Sequence, residues 1–427
     1  MERAGTHLAI EHLFRHEYGK IVAYLTRKFG VAQMKWIEDS IQHALLRAMQ
    51  TWPFQGLPLN PSGWILRVAR NYLIDQFRKR AKNAKDISGL RDELTHDVGS
   101  YPDLDNELKD DLLRMMFACC HPQLRMESQL ILTLKILGGF NNREVGRALL
   151  KSEEAVAKAY TRAKLKFQQL AHHLEVPVGK HLNSRLEAIL KVIYVMFNEG
   201  YNSISEDELI RKDLCFEAHR LTDLLLDQPL LRKPKVHALK SLICFQSSRF
   251  DARIGQEGEL LNMESQDRDL WDRALIQKGM DHLQIGYAFG NISEYHIEAS
   301  IAAYHATASS FDTTDWESIY NGYLLLEKIK PAAVITLNRI VAESRLKGAE
   351  TALRSLEDTD LKNNLKEHYL YYSVKGDLLE KMGIMHEAIR CYLEAIRRTS
   401  NRSEQLYLEK KALKLKNIRL RSHEKTG

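Results

Sequence analysis

A chain of 427 residues with a formal net charge of +6 is too long for one core and divides into roughly two to four domains. The modest charge excludes a uniformly basic nucleic-acid coat, so the placement of charge carries more information than its sum. Five cysteines, odd in number and scattered, exclude a disulfide framework, and Lys135 and Lys191 interrupt the best apolar runs before they reach the roughly 20 residues of a spanning helix.

Glu2, Arg3, His7, Glu11 and His12 break any apolar start, so no signal peptide is read and a cytoplasmic location without membrane contact is expected. Trp52 to Ser62 reads as a loop punctuated by Pro53, Gly56, Pro58 and Pro61, with Pro61 and Ser62 supplying a helix start. The helix that follows, Trp64 to Arg80, has two faces. Ile65, Leu66, Val68, Ala69, Tyr72, Leu73 and Phe77 form an apolar arc; Arg67, Arg70, Asn71 and Arg78 form the opposite arc, interrupted only by Ile74. Trp64 stands at the edge beside the basic side. Such a helix suits contact with phosphates and bases; it equally describes a solvated surface helix, and alone it does not decide.

Asp86 to Asp111 is rich in acids, with Gly89, Gly99, Ser100 and Pro102, and reads as a linker. Cys119-Cys120-His121 has a metal-like composition, but neighbouring cysteines diverge on a helix and no second ligand pair follows, so buried helical cysteines and no metal are expected. Asn142 to Leu150 reads as a short helix, Lys151-Ser152 as a break with Ser152 as N-cap, and Glu153 and Glu154 as a first turn matched to the helix dipole. The next helix places Val156, Tyr160, Ala163, Phe167 and Leu170 on one face and Glu154, Lys158, Thr161, Arg162, Lys166 and Gln169 on the other. This is a helix-turn-helix pattern, and equally that of an ordinary helical hairpin.

Beyond Lys180, helix follows helix. Gly376, Gly383, Ala388, Tyr392 and Ala395 within Tyr369 to Thr399 fall at tetratricopeptide spacing, and an earlier pair is read from Trp316 to Leu356, broken at Lys330-Pro331 and Lys347-Gly348. Such stacked units generally bind proteins or peptides, or serve only as architecture. Glu199, Asp267, Arg268, Asp269 and Asp272 are expected to form buried ion pairs. No phosphate-binding loop, dinucleotide fingerprint, zinc-protease or nucleophile-elbow motif occurs, so no enzyme and no cofactor are expected.

Trp64-x-x-x-Val68-Ala69-Arg70-Asn71-x-x-Ile74-Asp75-x-x-Arg78 resembles the promoter-melting, −10-reading helix of bacterial sigma-70-type factors of the extracytoplasmic-function group. Glu38 to Leu45 resembles that group's polymerase-docking helix, with His43 where an acid is usual. Glu144-Val145 to Lys166 resembles its −35-binding helix-turn-helix, with Ala155 and Ala159 where Thr and Arg are common. Phe117 to Pro122, Leu132 to Gly139, Phe197-Asn198-Glu199-Gly200-Tyr201, Leu214-Cys215 and Gln266 to Ile276 resemble the subgroup carrying a large C-terminal tetratricopeptide-like extension.

The resemblance implies an all-α chain. Its parts are a first domain over 8–82, an acidic linker over 83–106 threading near the polymerase channel, a second domain over 107–174, a helical connecting domain over 180–285 and a helical-repeat domain over 286–420. It implies core RNA polymerase and promoter DNA as partners, with a protein or peptide partner for the repeats. Glu38, Asp39 and Gln42 are assigned to polymerase; Trp64, Arg67, Arg70, Asn71 and Arg78 to the melted −10 strand, Trp64 by stacking and Asn71 by hydrogen bonding; Lys158, Thr161 and Arg162 to −35 bases; and Lys164 and Lys166 to phosphates. Two readings from other classes stay open on the residues: a one-component helix-turn-helix regulator, and a helical-repeat adaptor.

Overall fold

The computed structural model describes residues 17–83, 104–149, 151–170, 174–201, 211–255, 258–288, 290–358, 369–399 and 401–424. The fold is all-α, with no strand longer than an isolated bridge among these residues. The chain divides by its internal contacts into two units, 1–195 and 196–427.

In the first unit, α1 (17–29) is followed by α2 (Met34–Gln55) and α3 (Pro61–Asn83). Ile37, Ile41, Ala44, Ala48 and Trp52 recur at helical spacing on α2 and are buried, as are Ile65, Ala69, Leu73 and Phe77 on α3, so the two helices close a hairpin on their apolar stripes. Gly56, at φ +80°, ends α2 by donating to the Trp52 carbonyl. Asn60, rather than Ser62, caps α3: its side chain accepts from the Gly63 N–H at 2.8 Å, with Pro61 at the first helical position.

Then come α4 (Leu104–Cys119), α5 (Met126–Leu132) continued by a π-turn over Thr133–Leu137, α6 (Asn142–Ala148) and α7 (Glu153–Leu170). Asn141 and Glu144 form a reciprocal capping box on α6, and Ser152 caps α7 through the Ala155 N–H at 3.2 Å. A Cβ on Gly19 would collide with the Leu137 carbonyl, so glycine lets α1 lie directly on the π-turn. The expected linker is mostly outside the described residues. Its last acids are not linker at all: Glu107 and Asp111 sit on α4. Asp111 is fully buried, 2.7 Å from both Arg27 and Arg114, and Glu107 also pairs with Arg27. Burial raises the Asp111 pKa despite both arginines.

Removing the only partner of a buried charge typically costs about 3–5 kcal/mol, and the loss of Arg27 costs less, because Arg114 still faces Asp111 at 2.7 Å and Arg27 is 30% exposed. Arg27→Leu is therefore expected to lower the urea midpoint of the first unit, and Arg27→Leu/Asp111→Leu to recover part of the loss. A double variant no more stable than Arg27→Leu would contradict the assignment.

α8 (Lys180–Tyr201) contains the division between units. In the second unit, α9 (Lys212–Asp227), α10 (Pro234–Ser247) and α11 (Arg273–Tyr287) follow. α10 is apolar nearly all round and buried accordingly, packed by α9, α11 and α12 (Glu294–Thr307). Its Lys240 has no exposed surface and pairs with Asp223 at 2.8 Å.

Next are α13 (Trp316–Ile329), α14 (Ala333–Leu346), α15 (Ala349–Leu356), α16 (Tyr369–Lys381), α17 (Met385–Arg398) and α18 (Arg402–Glu424), each packed on its chain neighbour. Their cores pass from one hairpin to the next: Ile297, Ile301 and Ile319, then Leu337, Ile340 and Leu356, then Ala388, Tyr392 and Ala395. Gly376 has no room for a side chain, because a Cβ there would strike the Tyr392 ring at 2.6 Å.

Candidate nucleic-acid and polymerase interface

The two faces read from Trp64 to Arg80 survive in α3 with one change. Arg67, Asn71 and Arg78 are exposed and Arg70 is half-buried, while Ile74 is buried at 6% exposure. The polar arc is therefore narrower than the helical wheel indicates, because Ile74 belongs to the core edge. Arg78 lies 3.7 Å from Asp75, both more than half exposed, a pair that a phosphate displaces at little cost. Trp64 is half-buried at the start of α3, its ring 5.3 Å from that of buried Trp52 and inclined at 65°. Trp52 Nε1 is buried without a partner. The pair holds the Trp64 indole against Trp52 at the end of α2. His43 stacks on Tyr72 with ring centroids 4.2 Å apart; its place in the α2–α3 hairpin is a packing one.

On α7, Val156, Tyr160, Ala163 and Phe167 are buried and Leu170 is half-buried, while Lys158, Thr161, Arg162 and Lys166 are exposed. Thr161 Oγ1 donates back to the Ala157 carbonyl at 2.9 Å, so its hydroxyl is left to accept rather than donate. Lys158 and Arg162, one turn apart, point from the same face.

Lys164 is placed differently from its neighbours. Its ammonium lies 2.7 Å from Glu38 on α2, with 17% and 15% of the two side chains exposed. The Tyr160 hydroxyl donates to the other Glu38 oxygen, and the Lys164 and Lys135 ammonium groups lie 5.1 and 5.3 Å from the Tyr160 ring centre. Burial, and then the Glu38 carboxylate, hold the Tyr160 phenol well above its ordinary pKa, so it remains a donor. Gln168 adds a bond to the Val31 carbonyl at 3.1 Å. A residue assigned to polymerase and one assigned to phosphate are thus bound to each other, a pairing that separate reading of two distant motifs does not reveal. Asp39 and Gln42 remain exposed beside Glu38.

The expected ion pairs around Gln266 to Ile276 are corrected. Among the described residues, Glu199, Asp267, Arg268, Asp269 and Asp272 form no ion pair with one another. Asp267 and Asp272 are exposed caps, accepting from the Asp269 and Leu275 N–H groups, whereas Arg268 donates to the His305 and Ala308 carbonyls at 2.6 and 2.9 Å. Asp and Arg in this motif serve backbone ends rather than each other.

All five cysteines are buried free thiols. No group of three or more His, Cys, Asp or Glu side chains suited to a metal occurs among the described residues, and none of the described helices is long and apolar enough to cross a membrane.

Residues 13–83 match the family model described as sigma-70 region 2, and residues 185–285 match a family of unknown function, DUF6596. The chain is 35% identical over 380 residues to the protein titled "Uncharacterized protein R00370" of Rhizobium meliloti (strain 1021), covering 87% of this chain and 88% of that protein. It is 28% identical over 142 residues to the ECF RNA polymerase sigma factor SigX of Bacillus subtilis (strain 168), covering 33% of this chain and 71% of SigX. No solved structure matches.

Proposed function

We propose that this chain, which belongs to one family with R00370 and matches sigma-70 region 2 over residues 13–83, is a non-enzymatic sigma-70-type initiation factor that joins core RNA polymerase in the cytoplasm and directs it to promoters. The observation that carries the reading is the exposed arginine–asparagine arc of α3 beside a tryptophan propped at its N-terminal end, inside the segment matching region 2. In this reading a first domain over 8–82 docks through Glu38, Asp39 and Gln42. Trp64 stacks on an unpaired −10 base, Asn71 hydrogen-bonds to one, and Arg67, Arg70 and Arg78 hold the backbone. A second domain over 107–174 presents Lys158, Thr161 and Arg162 to −35 bases in the major groove and Lys166 to phosphate. The helices after 180 modulate this activity.

Run-off transcription with purified core polymerase, this protein and genomic promoter fragments tests the proposal. Start-site-specific transcripts that require both proteins are expected; no such transcripts and no association with core would refute it. Stable, promoter-specific binding by the isolated chain would favour a one-component regulator instead.

Glu38 and Lys164 make a sharper expectation. For Glu38 to meet polymerase and Lys164 to meet phosphate, their mutual pair must open. Lys164→Gln is expected to tighten core binding at least about threefold, the scale of an exposed ion pair released from competition, because this pair is largely buried. The same change removes one phosphate contact, lowering the salt slope of promoter binding by about one. Unchanged core affinity in a filter or fluorescence titration would show that Glu38 takes no part in docking.

A further inference from the structure

Two motifs that promoter binding leaves without a role, Phe197 to Tyr201 and Gln266 to Ile276, are joined in the second unit by a cluster of arginines. Tyr201 ends α8, Arg249 and Arg253 stand on either side of the short turn Phe250–Ala252, and Arg268 opens a second short turn that Trp271 follows. Arg253 lies 3.6 Å from the centre of the Tyr201 ring and donates to the Tyr201 carbonyl at 2.6 Å. Arg249 donates to the Tyr201 hydroxyl and to the Gln246 side chain, and faces the Met263 sulfur. Arg268 reaches the His305 and Ala308 carbonyls through Nη1 alone. The Trp271 ring is shared by two of the cations, with Arg268 at 4.6 Å and Arg249 at 5.7 Å from its centre.

The cluster lacks a negative charge. Arg249 and Arg253 are each 8% exposed, and among the described residues the hydrogen bonds of all three arginines go to neutral groups. An interior lysine can shed its proton or take an acid, as Lys240 takes Asp223. A guanidinium stays charged at any ordinary pH, so only an anion relieves its burial. Burial works against the charge of Arg253 and of Arg268, and the Arg249 charge adds to it at both. Two donors also stand unused: Arg268 Nη2 and Trp271 Nε1 are buried without a partner, on a tryptophan only 2% exposed. Neither atom can accept a hydrogen bond, so each calls for an acceptor. His305 Nδ1 is buried without a partner as well, on the residue whose carbonyl holds Arg268.

We propose that Arg249, Arg268 and Trp271 form a binding site for a small phosphate-bearing ligand, with Arg268 Nη2 and Trp271 Nε1 donating to its phosphate oxygens and Arg249 and Arg253 supplying balancing charge. A phosphate suits the cluster better than a carboxylate, because its charge approaches −2 near neutral pH and its oxygens accept from several directions. Arg268 is half-buried, so the site is approached from its turn, where Asp267 and Asp269 are exposed and screened by solvent. The inference rests on the second unit alone and stands apart from the promoter reading.

The test titrates inorganic phosphate into the full chain by calorimetry, at an ionic strength held constant with chloride. Saturable binding that chloride does not reproduce is expected. Trp271→Phe keeps an aromatic ring and removes the N–H; loss of a hydrogen bond to a charged acceptor is expected to weaken phosphate binding about tenfold. Without phosphate the same change removes an unsatisfied donor, so the urea midpoint is expected to hold or rise, whereas an N–H bonded within the protein would make it fall. Arg268→Lys keeps the charge but loses the fork of donors, and a loss of about tenfold is expected there too. Circular dichroism checks folding, and Arg268→Lys carries the comparison if Trp271→Phe does not fold. Phosphate binding unchanged in the folded variants belongs to the exposed arginines of the first unit and overturns the proposal. So does binding no stronger than that of chloride, or binding of acetate with none of phosphate.

Discussion

Trp64→Ala is expected to reduce start-site-specific transcription by about 10-fold to 100-fold while leaving core binding intact. The magnitude follows from stacking of one unpaired base on an aromatic ring, worth about 1–3 kcal/mol. The geometry makes Trp64 suited to that task. It is half-buried, with its ring packed on that of Trp52 at 5.3 Å. A ring held in place loses little freedom on binding. Because the same contact stabilises the α2–α3 hairpin, Trp64→Phe is the informative companion: it keeps an aromatic face and should retain most of the activity. Permanganate footprinting of the −10 region separates strand opening from docking. Full opening by a folded Trp64→Ala protein would remove Trp64 from the mechanism.

The second large effect is expected in acid. His219 and His305 are pushed down to about 3 and His282 to about 4, burial being the first cause in each case. The next contributions come from Lys240 beside His219, Arg249 beside His305 and His237 beside His282. Hydrogen bonding agrees with the neutral form. His219 Nδ1 faces the Lys240 ammonium at 3.0 Å, and His237 Nδ1 faces His282 Nδ1 at 2.9 Å, a pair that requires at least one ring to be neutral. Each of these folded pKa values lies below the unfolded value of about 6.5, so the unfolded chain takes up protons that the folded chain refuses. Their stabilisation is complete above about pH 6.5 and falls as pH drops toward 4, by about tenfold in the folding equilibrium per pH unit for each buried histidine. Urea titrations followed by circular dichroism should therefore show a midpoint for the second unit that falls steeply from pH 6.5 to pH 4.5. His305→Gln should flatten the profile. A midpoint independent of pH over that range would contradict it.

The helices were legible wherever one face had to be buried. Val156, Tyr160, Ala163 and Phe167 recur at helical spacing and all are buried, and the breaks at Lys330-Pro331 and Lys347-Gly348 fall between α13, α14 and α15. Local pattern was a poorer guide to polar groups. Asp111 reads as one more acid of a solvated tether, yet it is buried on Arg27, 84 positions away in the chain. The motif from Asp267 to Asp272 reads as ion pairs, yet its aspartates cap helical turns because caps are satisfied within three residues while ion pairs need a partner brought from elsewhere. Ile74 reads as a member of the basic arc, but a residue at the margin of a stripe is assigned by the width of the surface it packs on.

Helix periods, caps, breaks and the basic faces that lead to a sigma-type reading are matters of local physics. Those depend on residues within a few turns of one another, and such spacing is written in the chain. Which charges are paired and which are exposed depends instead on how the helices pack. Lys164 and Lys166 lie two positions apart and read alike, but one is bound to Glu38, 126 positions earlier, and the other is exposed. Glu259 and Glu264 likewise lie on Lys410 and Arg345, 151 and 81 positions later in the chain. The partner of a charge is chosen by which helices are stacked beside it, and no local period encodes that.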